Sequence, residues 1–120
     1  MKIFISHSTK FPFEEELYKP LRDSELAKKH ELVFPHEAGI EIETKDIIRD
    51  CDLVVAEVSA PSFGQGIELG WANGAYVSIM CFYKSGTEVN KNLQYLTDSV
   101  FLYNSVEDMI AKITEAADAL

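Results

Sequence analysis

The residues best placed to do chemistry lie between Asp52 and Gly70. Glu68 stands inside Gly64-Gln65-Gly66-Ile67-Glu68-Leu69-Gly70, just after the turn-forming Ser59-Ala60-Pro61-Ser62. Gly64 and Gly66 let backbone amides face outward with little side-chain obstruction. A helix is expected from about residue 67 to 73, so unpaired amides and the positive end of its dipole point at the same spot. Such a place suits an anion such as a phosphate, with the Ser62 hydroxyl beside it. It is not a Walker loop, because no Lys-Ser/Thr pair follows. It is not GxGxxG either, because Leu69 stands where the third glycine would fall. Glu68, expected in the first turn of the helix, puts a carboxylate at the mouth of this site. A carboxylate kept ionised there can attack an electron-poor carbon or stabilise a developing cation. The plainer readings are a surface glutamate that complements the helix dipole, and a turn serine that bonds its own backbone.

These side chains need elements to carry them. Leu53-Val54-Val55-Ala56 is a continuous run of the kind found in a central strand buried on both faces. An apolar run at 3–5 reads as another strand and ends in Ser6-His7-Ser8-Thr9. Phe13, Leu17 and Leu21 recur at the spacing of one helix face, with Pro12 suited to the first turn. Pro20 predicts a kink or break in that helix. Leu32-Val33-Phe34 is a second short strand closed by Pro35, and Thr44 is placed to cap a short helix through Asp50. A strand is expected at 77–83, a turn at Ser85-Gly86, a helix at 90–96 and a last strand at 100–103. Ser105 and Asp108 resemble a capping box, and Val106, Met109, Ile110, Ile113 and Ala117 mark one face of a C-terminal helix.

Strands alternating with helices imply a parallel sheet covered on both sides. The expected fold is a three-layer α/β/α domain over residues 1–120, with a five-stranded parallel sheet in a flavodoxin-like or Rossmann-like layout. Ligands in such folds sit beyond the C-terminal strand ends where the strand order reverses. That rule selects the loops at 6–10, 35–43 and 59–66.

Composition narrows the ligand. With 120 residues, 47% of them hydrophobic, the chain has the size and core of one globular domain. Its net charge of −9, with basic residues scattered among acids, argues against a nucleic-acid polymer as partner. No stretch is apolar enough for a bilayer, and the N-terminal strand pattern is unlike a signal peptide, so no membrane partner is expected. Cys51 and Cys81 sit in apolar runs and read as small buried hydrophobes in a reducing cytoplasm. His7, His36, Glu37 and Glu68 lack tight ligand spacing, so neither a metal nor another cofactor is expected. The run Glu14-Glu15-Glu16 reads as a solvated first helical turn.

The stretch from Asp52 to Gly70, with the strand at 77–83 and Ser85-Gly86 after it, resembles the nucleoside 2-deoxyribosyltransferase superfamily. That superfamily includes the 2'-deoxynucleoside 5'-phosphate N-hydrolases. The resemblance implies that Glu68 is the nucleophile that attacks the anomeric carbon of a nucleotide or nucleoside substrate. A glycosyl ester would form and be resolved by water or a second base, as in a retaining glycosidase. It implies a 5'-phosphate held by Ser62, Gly64 and Gly66, with Ser59 at the same loop. It also implies a homodimer in which Asn90 reaches the neighbour's pocket. Where the family has an aspartate eight positions before Asp52, this chain has Thr44, with Asp46 close by. The first loop, Ser6-His7-Ser8-Thr9-Lys10, holds neither the family's tyrosine nor its arginine. His7 is the candidate to replace the missing acid, since imidazole gains and loses its proton near neutral pH. Ser6, Ser8, Thr44 and Asp46 are candidate substrate contacts, and His36 a candidate contact to the base. The alternative is a nucleotide-binding or signalling module. The opening Phe4-Ile5-Ser6-His7-Ser8 also resembles Toll/interleukin-receptor-like domains, some of which cleave NAD with a glutamate.

Overall fold

The structure is a computed structural model and describes residues 1–37, 43–60 and 62–119. Its strands are β1 (Lys2–His7), β2 (Glu31–Val33), β3 (Leu53–Glu57), β4 (Ser78–Lys84) and β5 (Val100–Tyr103). They form one sheet in the order β2-β1-β3-β4-β5, with every neighbouring pair parallel. This is the expected five-stranded sheet in a flavodoxin-like order. The order reverses between β1 and β3, so the crevice for a ligand lies above their C-terminal ends.

Strand side chains alternate between faces, and this alternation builds two cores. Ile3 and Ile5 of β1, with Leu53 and Val55 of β3, pack under Leu17, Tyr18, Leu21, Leu26, Met109 and Ile113. These belong to a π-helical turn (Glu14–Tyr18) and to α1 (Lys19–Arg22), α2 (Glu25–Lys29) and α5 (Val106–Ala119). Phe4, Val54 and Ala56 face the other way, onto Ile48, Leu69 and Ala72. Those residues lie on α3 (Lys45–Arg49) and α4 (Phe63–Gly74). All five residues of β3 are buried, which is why that strand carries no surface polar positions. Cys51 and Cys81 are buried free thiols in the second core, and burial pushes both up to about 11.

Three local differences from the expected elements bear on the site. Pro20 neither breaks nor ends the first helix. The chain makes a π-turn, with the Lys19 amide bonded to the Glu14 carbonyl, and places Pro20 in the first turn of α1. The wide turn gives the proline ring room that an α-turn would not. The helix expected at 67–73 begins at Phe63, because the Ser62 hydroxyl accepts from the Gln65 amide at 3.4 Å and caps it there. The helix expected at 90–96 is a single 3₁₀ turn, Lys91–Tyr95. The turn at Ser85-Gly86 is present, and Gly86 takes φ +90°, a conformation that favours glycine.

Candidate active site

The site grows out of the strand ends. Ser6 follows Phe4 on the α4 side of β1, and Glu68 points back at it from the second turn of α4. The Ser6 hydroxyl donates to one Glu68 carboxylate oxygen at 3.0 Å, and the Thr44 hydroxyl donates to the other at 2.8 Å. Thr44 is buried and occupies the N-cap position of α3, yet its side chain makes no capping bond. The expected cap has been given up for a bond to the carboxylate. Burial pushes the Glu68 carboxyl above the ordinary carboxylate range, while Thr44, Ser6 and the charge of His36 pull it back. Glu68 is half-buried and lies six residues into the helix, not in its first turn. Its ionisation is therefore governed by these two hydroxyls and by burial more than by the helix terminus, whose field fades within a turn.

His7 is the next residue on β1 and projects to the opposite face. The structure gives it a different role from the one expected. Its Nδ1–H donates to the Ser8 carbonyl at 3.0 Å, and its Nε2 accepts from the Tyr18 hydroxyl at 2.6 Å. Tyr18 in turn accepts from the His36 amide at 3.1 Å. Burial drives the His7 pKa down to about 4, against the Ser8 bond and with help from His36. A neutral ring with both nitrogens engaged is not a stand-in for the missing acid. Strand parity sends Ser6, not His7, to Glu68.

Around His7 lies an aromatic cluster. Phe13 stacks on the His7 ring at 4.3 Å between centroids, and the His36 ring lies 5.0 Å from His7 and 5.6 Å from Phe13. Tyr18 is wholly buried, 5.1 Å from Phe13. Tyr18 and Phe13 were not legible as site residues, since both fall in a stretch that reads as ordinary amphipathic helix. Pro20 was the available signal, because the π-turn that accommodates it contains Tyr18.

On the other side of the β1 end, a cavity of about 960 Å³ lies at the strand reversal. Its walls include Ser8, Lys10, Ser62, Gly64, Gly66 and Asn90. The early start of α4 changes which amides it offers. Gln65 bonds the Ser62 hydroxyl and Gly66 bonds the Ser62 carbonyl, which leaves those of Phe63 and Gly64 for a ligand. Glu68 is not part of the cavity wall, but Gly64 precedes it by four residues on the same helix side. That spacing is about 6 Å along the axis. Ser8 of the cavity wall and Ser6 of the Glu68 site are two residues apart at the end of β1, and Gly64 and Glu68 share α4.

Other expected contacts fall elsewhere. The Asn90 side chain accepts from the Asn92 amide at 2.9 Å and lines the cavity. The 3₁₀ turn explains this, because Leu93 and Leu96 anchor it beside α4. Asp46 is 82% exposed and pairs with Arg49 at 3.5 Å, on the solvent side of α3. The Ser59 hydroxyl turns inward to Glu57 at 3.0 Å and does not face the cavity. Part of the expected loop at 35–43, and Pro61 of the loop at 59–66, lie outside the described residues. Among the described residues, no group of three His, Cys, Asp or Glu side chains gathers as a metal site, and no helix is long and apolar enough to cross a membrane.

The chain thus combines a parallel α/β/α fold with a half-buried, hydroxyl-held glutamate and a helix-terminus cavity. No protein-family profile matches the chain. A 41-residue segment, 34% of this chain and 29% of the relative, is 46% identical to a Syntrophotalea carbinolica protein named "Putative 2'-deoxynucleoside 5'-phosphate N-hydrolase 1". The match therefore spans less than a third of that relative's length. Among solved structures, the Clostridium botulinum CMP N-glycosidase BcmB is similar with a TM-score of 0.69 and 20% identity, over 95% of this chain and 99% of that one. The sequence likeness is thus confined to one segment, and the likeness to BcmB is one of fold.

Proposed function

We propose that the chain is an N-glycosidase that cleaves the base–sugar bond of a nucleoside 5'-monophosphate. The observation that carries this is the Glu68 carboxylate, held by Ser6 at 3.0 Å and Thr44 at 2.8 Å, one helical turn from the Gly64 end of the cavity. The names of the two similar proteins, an N-hydrolase and an N-glycosidase of nucleotides, support the same chemistry.

The 5'-phosphate sits against Ser62, the free amides of Phe63 and Gly64, Lys10 and the Asn90 amide. The sugar then lies along α4 with its anomeric carbon at Glu68, and the base lies against Phe13 and His36. One Glu68 oxygen attacks the anomeric carbon as the bond to the base nitrogen breaks. The base leaves with its electron pair and takes a proton from His36. Water then attacks the anomeric carbon, giving its proton to the now neutral His36, and the ester bond breaks to regenerate the carboxylate. The hydroxyls of Ser6 and Thr44 keep the nucleophile ionised and aimed. Nucleoside monophosphates are met in the cytoplasm, where we place the protein, and two free thiols suit that compartment.

A homodimer belongs to the same proposal. The outward face of α4 carries Phe63, 94% exposed, Ile67, 51% exposed, and Gly70 and Gly74 with open space above them. A second copy covering this face would remove that apolar surface from water.

The test is release of free base from deoxynucleoside monophosphates, ribonucleoside monophosphates and NAD, followed by chromatography. Base release from a monophosphate, lost by about 100-fold or more in a folded Glu68→Gln protein, is expected. Full activity of that variant would move the nucleophile elsewhere, and cleavage of NAD alone would favour the signalling-module reading.

A further inference from the structure

One buried carboxylate takes no part in this chemistry. Glu57 ends β3 and is 1% exposed. One of its oxygens accepts from the Ser59 amide at 2.6 Å. The other accepts from the Ser59 hydroxyl at 3.0 Å and from the Tyr103 hydroxyl. The Ser59 hydroxyl oxygen also accepts from the Lys84 amide at 2.8 Å. The Glu57 backbone carbonyl accepts from the side-chain amide of buried Gln65 at 2.8 Å, in the first turn of α4. Glu57 therefore ties the ends of β3, β4 and β5 to the segment that leads into Ser62 and to the helix start. It is absent from the cavity wall, so it cannot touch a ligand there.

A carboxylate buried so deeply costs stability unless its charge is used. A tyrosine, a serine hydroxyl and a backbone amide satisfy it on both oxygens, and a glutamine in its place would turn an NH2 group toward at least one of these donors. The charge is what orders the donors: all three point at it, and only an acceptor on both oxygens admits that arrangement. We propose that Glu57 is a positioning residue for the anion site, a role that rests on the monophosphate reading. It holds Ser59 so that Val58, Ala60 and Ser62 present the Ser62 hydroxyl and the Phe63 and Gly64 amides to a phosphate. Glu57 acts on phosphate affinity and not on the bond-breaking step at Glu68.

Protonation of Glu57 would replace an acceptor with a donor and release a Ser59 contact. The charged and titratable groups around it are few. Lys84 on β4 is the cation that favours its charge; it pairs with Glu16 of the π-turn and lies 5.2 Å over the Phe11 ring. Tyr103 on β5 is pushed up by burial, then by Glu57 and Glu16, and stays protonated. His7 is its cross-strand partner on β1 and is neutral. Burial holds the Glu57 carboxyl above the usual range, against the bonds from Tyr103 and Ser59 and the charge of Lys84.

Sulfate is the probe, because it keeps its charge where phosphate changes its own. Sulfate is titrated into ¹⁵N-labelled protein, and the Phe63 and Gly64 amide shifts are followed from pH 7.5 down to about 5. Wild type is expected to show saturable shifts that weaken as the pH falls and Glu57 takes its proton. Glu57→Gln is expected to bind about tenfold more weakly at neutral pH, with affinity that no longer depends on pH. In kinetics it should raise KM for the monophosphate about tenfold, with kcat and the nucleoside KM within about threefold of wild type. If Glu57→Gln does not fold, Ser59→Ala carries the test and should weaken sulfate about threefold. A folded Glu57→Gln or Ser59→Ala with wild-type affinity and pH profile overturns the role of Glu57 and leaves the anion site standing. No saturable shift in the wild type, with monophosphate and nucleoside used equally, overturns the anion site itself.

Discussion

Thr44→Val is the sharpest test of how Glu68 is held. The substitution keeps the shape of the side chain and removes one hydroxyl, the donor at 2.8 Å. Because that hydroxyl makes no cap bond, α3 loses nothing directly. A hydrogen bond to a charged group contributes about 1.5–3 kcal/mol. Its loss should push the Glu68 carboxyl further in the direction that burial has already taken it. The sign follows from the bond: Thr44 favours the ionised form, so without it the proton is held to higher pH. The ¹³C signal of the Glu68 carboxyl, titrated by NMR, reads this directly without relying on catalysis. The acid limb of the kcat/KM profile for base release should move upward by the same amount. Activity should be recovered at high pH and fall about tenfold for each unit below the new pKa. Thr44→Ser should restore the wild-type titration. A folded Thr44→Val protein whose Glu68 titrates as in wild type would refute the claim that Thr44 holds the charge.

Ser62→Ala should raise KM for a monophosphate and barely change that for the nucleoside. As the cap of α4 is lost, stability should also fall by about 1 kcal/mol, seen as a lower urea midpoint; an unchanged monophosphate KM would remove Ser62 from the phosphate site. His7 should show no imidazole titration by NMR above about pH 5, because its pKa is lowered to about 4. Its unfolded form takes a proton near 6.5, so the stability it contributes is present above that value and is lost as pH falls toward about 4; the urea midpoint should drop through that window, and a His7 resonance titrating near 6.5 in the folded protein would refute its burial in the Tyr18 network. Sedimentation should give twice the 13.5 kDa chain mass, and Phe63→Asp should reduce it to one chain; a monomeric wild type would rule out the dimer.

The sequence by itself determined the class of fold and singled out Glu68 as the candidate carboxylate. Strand periodicity is local, so Leu53-Val54-Val55-Ala56 announces a buried strand wherever it is placed, and alternating apolar runs leave few layouts but a parallel sheet. Glu68 was legible through the resemblance of Asp52 to Gly70 to a known superfamily, since by position alone it reads as a glutamate complementing a helix dipole. Its surroundings were not. Ser6, Thr44 and Glu68 lie 24 to 62 residues apart and meet only because β1 and α3 are packed against α4. A threonine before a helix reads as a cap from local rules, and only the tertiary contact shows that its hydroxyl goes to a carboxylate instead. His7 failed as the expected acid for a related reason. A period of two turned it from Glu68, and burial beside Tyr18, a contact no local pattern reveals, keeps its ring neutral. Glu57 ends the most legible strand of the chain, yet its importance depends on Tyr103 and Gln65, brought to it by β5 and α4. Local chemistry names the residues; the packing of distant elements sets which of them share a proton, a charge or a hydrogen bond.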